Sequence, residues 1–178
     1  METLPGLPAF FRVAILYIFV AMKTASVHEI KQELAAIKPG ELVELCLRLA
    51  RFKKENKELI TYLLFEAHDE QSFVDNLKKE ISASFGEINQ SNLYYVKKSL
   101  RKIIRTINKY CRYSSSKQTE VELRIFFCYN VQSSSIWVHR NPAIIKLYDK
   151  QLEKINSVLN SLHEDLQYDY RKEVERIS

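Results

Sequence analysis

The chain has 178 residues, 46% hydrophobic and 28% charged, with a formal net charge of +5, which is enough to bury a substantial core in one domain. Only three glycines (Gly6, Gly40, Gly86) and four prolines occur, and this argues against β-hairpins and sandwiches, whose turns need positive φ. Neither GxGxxG nor GxxxxGK[ST] is present, so the two common phosphate-cradling loops of nucleotide enzymes are excluded.

The first feature along the chain is the apolar run "VAILYIFVAM", residues 13–22, flanked by Arg12 and Lys23. Ten residues fall short of the roughly 20 needed to cross a bilayer, so no transmembrane span is expected. Three readings stay open. One is a dispensable extension, with translation starting at Met22 in "MKTASVHEIKQEL". It also has the length of a signal-peptide apolar region, followed by small residues at 24–26, or of a surface anchor. Finally, it could be a core helix. The expected organisation is an extension over 1–21 and a single all-helical domain over 22–178.

From Ser26 onward the punctuation is helical. "SVHE" forms a capping box, with Ser26 accepting from the backbone and Glu29 reaching back. "KPGE" at residues 38–41 ends one helix and starts the next. Leu42, Leu45, Cys46 and Leu49 then fall at helical spacing, as do Leu59, Ile60, Leu63 and Leu64. Asp69 caps a helix carrying Phe73, Leu77 and Ile81, with Gly86 as its stop. The segment after it, residues 92–113, is expected to be capped by Ser91.

The stretch "LVELCLRLARFKKENKELITYLLFEAHDEQ", residues 42–71, resembles uncharacterised bacterial proteins of small, all-helical type. It carries no functional motif, so the resemblance implies the fold class and no activity.

Residues 114–116 read as a serine loop. In "EVELRIFFCYNV" Val121, Leu123 and Ile125 alternate like a strand, but Phe126, Cys128 and Tyr129 break the alternation, so a helix is expected. A second loop, "QSSSIWVHR", holds the only tryptophan, Trp137. Asn141 and Pro142 make a cap and first-turn pair. Ile145, Tyr148, Leu152, Ile155, Leu159, Leu162 and Leu166 then recur in steps of three and four. That is a heptad seam, read as one long final helix packing on the domain, or as a homodimer contact. The sum is an all-α fold of about seven amphipathic helices, in a bundle or a HEAT-like antiparallel stack.

Chemistry-bearing residues are sparse. Cys46, Cys111 and Cys128 are odd in number and far apart, without metal-ligand spacing. They fit a reducing, cytoplasmic compartment. His28, His68, His139 and His163 belong to no HExxH motif, and "FEAHDE" and "LHED" read as helix ends with capping acids. No metal, cofactor or catalytic constellation is expected.

The exception is the basic helix "NLYYVKKSLRKIIRTINKYCRY" over residues 92–113. At 100° per residue, Lys97, Lys98, Arg101, Lys102, Arg105, Lys109 and Arg112 fall within an arc of about 140°. Val96, Leu100, Ile103, Ile104, Ile107, Tyr110 and Cys111 occupy the opposite side. No acid occurs between Glu87 and Glu120, and with Lys117 this window carries eight cations. The remainder is then 19 basic minus 22 acidic, or −3.

A single-sign face attracts polyanions. Tyr94 within the arc, with Tyr95 and Tyr113 at its edge, could stack on unpaired bases. Against this, Glu41, Glu44, Glu55 and Glu58 could neutralise the face internally. The expected function is a non-enzymatic interaction module for an unidentified protein partner, using the basic helix and the Trp137 loop. The alternative is a nucleic-acid-binding protein using residues 92–113.

Overall fold

Most helices in the computed structural model begin at a side-chain cap, because the first backbone N–H groups of a helix lack intrahelical acceptors. The structure describes residues 24–134 and 141–178. The apolar run 13–22 and the loop residues Trp137 and His139 lie outside the described residues. Ser26 and Glu29 form the expected capping box ahead of α1 (Val27–Ala36). After α2 (Pro39–Phe52) and α3 (Lys54–Thr61) comes a π-helical turn, Tyr62–Glu66. Asp69 caps α4 (Glu70–Gly86), which runs through Gly86 to a C-cap at Glu87. Asn92, rather than Ser91, caps α5 (Leu93–Ser114) by accepting from the Tyr94 N–H at 2.8 Å. Ser116 caps α6 (Lys117–Ser133), and Asn141 caps α7 (Pro142–Leu159) with Pro142 at its first position. His163 precedes α8 (Glu164–Glu175).

The fold is all-α: among the described residues there are eight α-helices where the periodicity suggests about seven, and no strand. The chain divides into two compact units, residues 1–49 and 50–178. In the first, neither α1 nor the part of α2 it contains holds a buried residue. The second is a helical bundle with its own core.

The centre of that core is α6, which packs against α4, α5, α7 and α8. Val121, Leu123, Ile125, Phe127 and Cys128 are all buried on it. Most of its circumference is buried, leaving only a narrow exposed strip through Gln118, Tyr129 and Gln132, and this weakens the amphipathic period of its sequence. Each fully buried Leu, Ile or Phe contributes roughly 1.5–3 kcal/mol. One charge sits among them. Arg124, 3% exposed, donates to Glu120 at 2.9 Å, to Gln151 at 2.7 Å and to Asn108 at 2.8 Å. Its planar fork thereby ties α6 to α5 and α7 through satisfied hydrogen bonds.

The single long final helix is corrected. α7 ends at Leu159, a turn follows, and α8 starts at Glu164. Leu162 and Leu166 therefore do not continue the stripe of α7. Its buried face is Ile144, Tyr148, Gln151, Ile155 and Leu159, whereas Ile145 is exposed. This face is committed to the bundle's own core.

Candidate polyanion-binding face

The geometry of α5 follows from its sequence period. Val96, Leu100, Ile103, Ile107 and Cys111 are buried, with Ile104 and Tyr110 partly so. Burying that stripe turns the opposite arc to water. Lys98, Arg101, Lys102, Arg105 and Arg112 are exposed, and Lys97 and Lys109 are half-buried. From Lys97 to Arg112 the stripe extends about 22 Å at 1.5 Å per residue. Ser115, at φ 54°, ends the helix in the left-handed region.

The electrostatics separate one cation from the other six. Lys109 Nζ lies 2.9 Å from Glu58 Oε2 and 4.4 Å from the Tyr110 ring centroid. Glu58 also faces Lys54 at 3.7 Å and accepts from the Tyr113 hydroxyl at 3.2 Å. The Lys109 hydrogen bond, with its charge, holds the Glu58 carboxyl below the usual range against the desolvation that opposes it. Burial pulls Lys109 toward its neutral form, yet the Glu58 contact outweighs this and its pKa is raised. Lys97, Lys98, Arg101, Lys102, Arg105 and Arg112 have no carboxylate within 4.0 Å among the described residues of this unit. Of the acids expected as neutralisers, Glu58 is thus spent on Lys109 and Lys54. Glu55 is the one acid on a shallow groove lined by Lys102, Arg105, Thr106, Asn108, Lys109 and Arg112. Glu41 and Glu44 belong to the first unit.

The tyrosines divide in the same way. Tyr94 is 62% and Tyr95 47% exposed, with their rings edge to face at 5.5 Å. Both present ring surface at the N-terminal end of the cationic stripe. Tyr113, by contrast, is half-buried, and its hydroxyl donates to the Glu55 carbonyl and to Glu58. It ties α5 to α3. Thr106 and Asn108 sit in the groove beside the cations; their only sequence signal is proximity to the arc.

Burial pushes the Cys111 and Cys128 thiols up to about 12, which suppresses thiolate formation. Among the described residues, no group of three His, Cys, Asp or Glu side chains is placed to hold a metal ion. Nor is any described helix long and apolar enough to cross a membrane. No protein-family model, curated protein or solved structure matches this chain.

Proposed function

We propose that the chain is a non-enzymatic helical interaction module that binds a polyanion, with single-stranded nucleic acid as the ligand class, along the solvent face of α5. The observation carrying this reading is the set of six cations on one helix face without a carboxylate partner. Ordinary solvated faces mix signs through i,i+4 pairs, and this one does not. Phosphates supply affinity without sequence information, while Tyr94 and Tyr95 supply stacking surface for unpaired bases. A reducing compartment belongs to the same proposal, supported by three free cysteines.

A protein partner is the second reading. It is supported by the apolar residues that α2 leaves exposed, among them Val43, Leu45, Leu47 and Phe52. Retention on heparin and on a single-stranded oligonucleotide at about 50 mM salt tests the first reading. Retention that disappears in a Lys98→Gln, Arg101→Gln, Arg105→Gln, Arg112→Gln variant of unchanged melting temperature supports it. A wild-type protein that flows through both matrices contradicts it.

A further inference from the structure

The cationic face of α5 changes character along its length. Its C-terminal half faces the groove, of about 600 Å³, that Lys102, Arg105 and Arg112 line with Glu55 as the one acid, while Lys97, Lys98 and Arg101 lie outside it. Lys109 lies in the groove too, but Glu58 answers its charge. The groove therefore holds three unpaired cations against one carboxylate, three minus one, or +2. A phosphodiester brings one negative charge to such a place. A terminal phosphomonoester brings nearly two, with three strong acceptor oxygens.

Neutral donors stand beside those cations. Thr106 makes no hydrogen bond with a described residue, whereas Thr61, also on a helix, spends its hydroxyl on the Lys57 carbonyl at 2.9 Å. Asn108 accepts from Arg124 through Oδ1 at 2.8 Å. Because a guanidinium only donates, that bond fixes which end of the amide faces Arg124. It leaves Nδ2 as a donor, without a partner of its own, on the lining of the groove. Hydrogen bonds to an ionised acceptor are about twice as strong as neutral ones, so both groups favour an anion there.

The groove also stands where a strand would end. Tyr94, Arg101, Arg105 and Arg112 fall within about 40° of one another around α5, and Tyr94 to Arg105 is about 17 Å along it. A backbone leaving the exposed Tyr94 ring thus runs along the helix into the groove. Past Arg112 it meets the carbonyl end of α5, the negative pole of the helix dipole. Further phosphates are disfavoured there.

We infer that this groove seats the terminal phosphomonoester of a nucleic-acid strand, held by Lys102, Arg105 and Arg112, with Thr106 and Asn108 donating to its oxygens. The inference rests on the polyanion reading of α5 and adds the end of the strand to it.

The test is the affinity of the full chain for an oligothymidylate of about six nucleotides, carrying a 5′ phosphate, a 3′ phosphate or hydroxyls at both ends. A preference of about tenfold or more for at least one phosphorylated end is expected, and the preferred end gives the direction of the strand. Thr106→Val, nearly isosteric and uncharged, reduces that preference about threefold or more and leaves the hydroxyl-ended strand bound as before. Asn108→Asp keeps an acceptor for Arg124 and puts a carboxylate in place of the groove's donor, which abolishes the preference. Unchanged melting temperatures check that both variants fold. Equal affinity for all three strands overturns the inference and leaves the polyanion reading standing, whereas no binding of any strand overturns both. A preference undiminished in both variants reflects the added charge alone and overturns the inference, as does a phosphoserine peptide that binds tighter than the phosphorylated strand.

Discussion

Arg124 sits at a position where its charge is costly unless each donor finds an acceptor. Glu120, Gln151 and Asn108 supply those acceptors, and truncation leaves them facing a void. Arg124→Ala is therefore expected to destabilise by about 3–5 kcal/mol in urea denaturation, while an exposed cation such as Arg105→Ala shifts stability by less than about 0.5 kcal/mol. The cysteines give a second residue-scale expectation. Cys46 is exposed, and Cys111 and Cys128 are buried with raised pKa values. Mass spectrometry after native alkylation at neutral pH should show one modified thiol, Cys46, and three after unfolding. Glu58 gives a third. Its folded pKa is depressed, so the stability it contributes is present above the unfolded carboxyl value of about 4.3 and lost as pH falls through the lower folded value. Acid titration of the melting temperature between about pH 5 and 3 should be shallower in Glu58→Gln than in the wild type.

At the scale of elements, what the sequence disclosed depended on whether a helix has two kinds of face. α5 buries one stripe and solvates the other, so its period located it, its apolar residues and its cations together. α6 has only a narrow solvated strip, through Gln118, Tyr129 and Gln132, to contrast with its buried sides, and its alternating Val121, Leu123 and Ile125 imitated a strand. Arg124, at the middle of that apolar run with Glu120 four residues earlier, is the sequence signal of a helix there, an i,i+4 pair that a strand would not bring together. The π turn left no mark either, since it adds one residue to a helical ring without changing residue type. The stripe through residues 145–166 misled because a turn of favourable phase can join two helices into one apparent seam. Burial on α7 settles which residues matter. Ile155→Ala is expected to cost about 2–5 kcal/mol, and Ile145→Ala, exposed on the same helix, less than about 1 kcal/mol by the same melt. Equal costs would mean that the seam as first read, not the face observed, carries the packing. The basic arc itself was fully legible as a pattern, and so was Glu58 as one of four acids able to neutralise it; that Glu58 in particular would claim Lys109 and Tyr113 was not, because it depends on how α3 lies beside α5.

For the molecule as a whole, the charge is segregated rather than merely positive. Eight cations stand in one acid-free window and the remainder of the chain carries −3, from 19 basic and 22 acidic residues. Such a distribution steers and retains polyanions by counterion release. The most direct measurement is the affinity for a single-stranded oligonucleotide as a function of salt. Six unpaired cations set a ceiling of about −4 on the slope of log affinity against log salt, at about 0.7 per phosphate contact. The account predicts a wild-type slope of about −2 to −4 that shrinks by up to about 2.8 when Lys98, Arg101, Arg105 and Arg112 become Gln, with the loss equal for all base sequences. Tyr94→Ala should weaken binding by roughly 1–3 kcal/mol at unchanged slope. A slope near zero in the wild type, or a slope that the four substitutions leave unchanged, would contradict it.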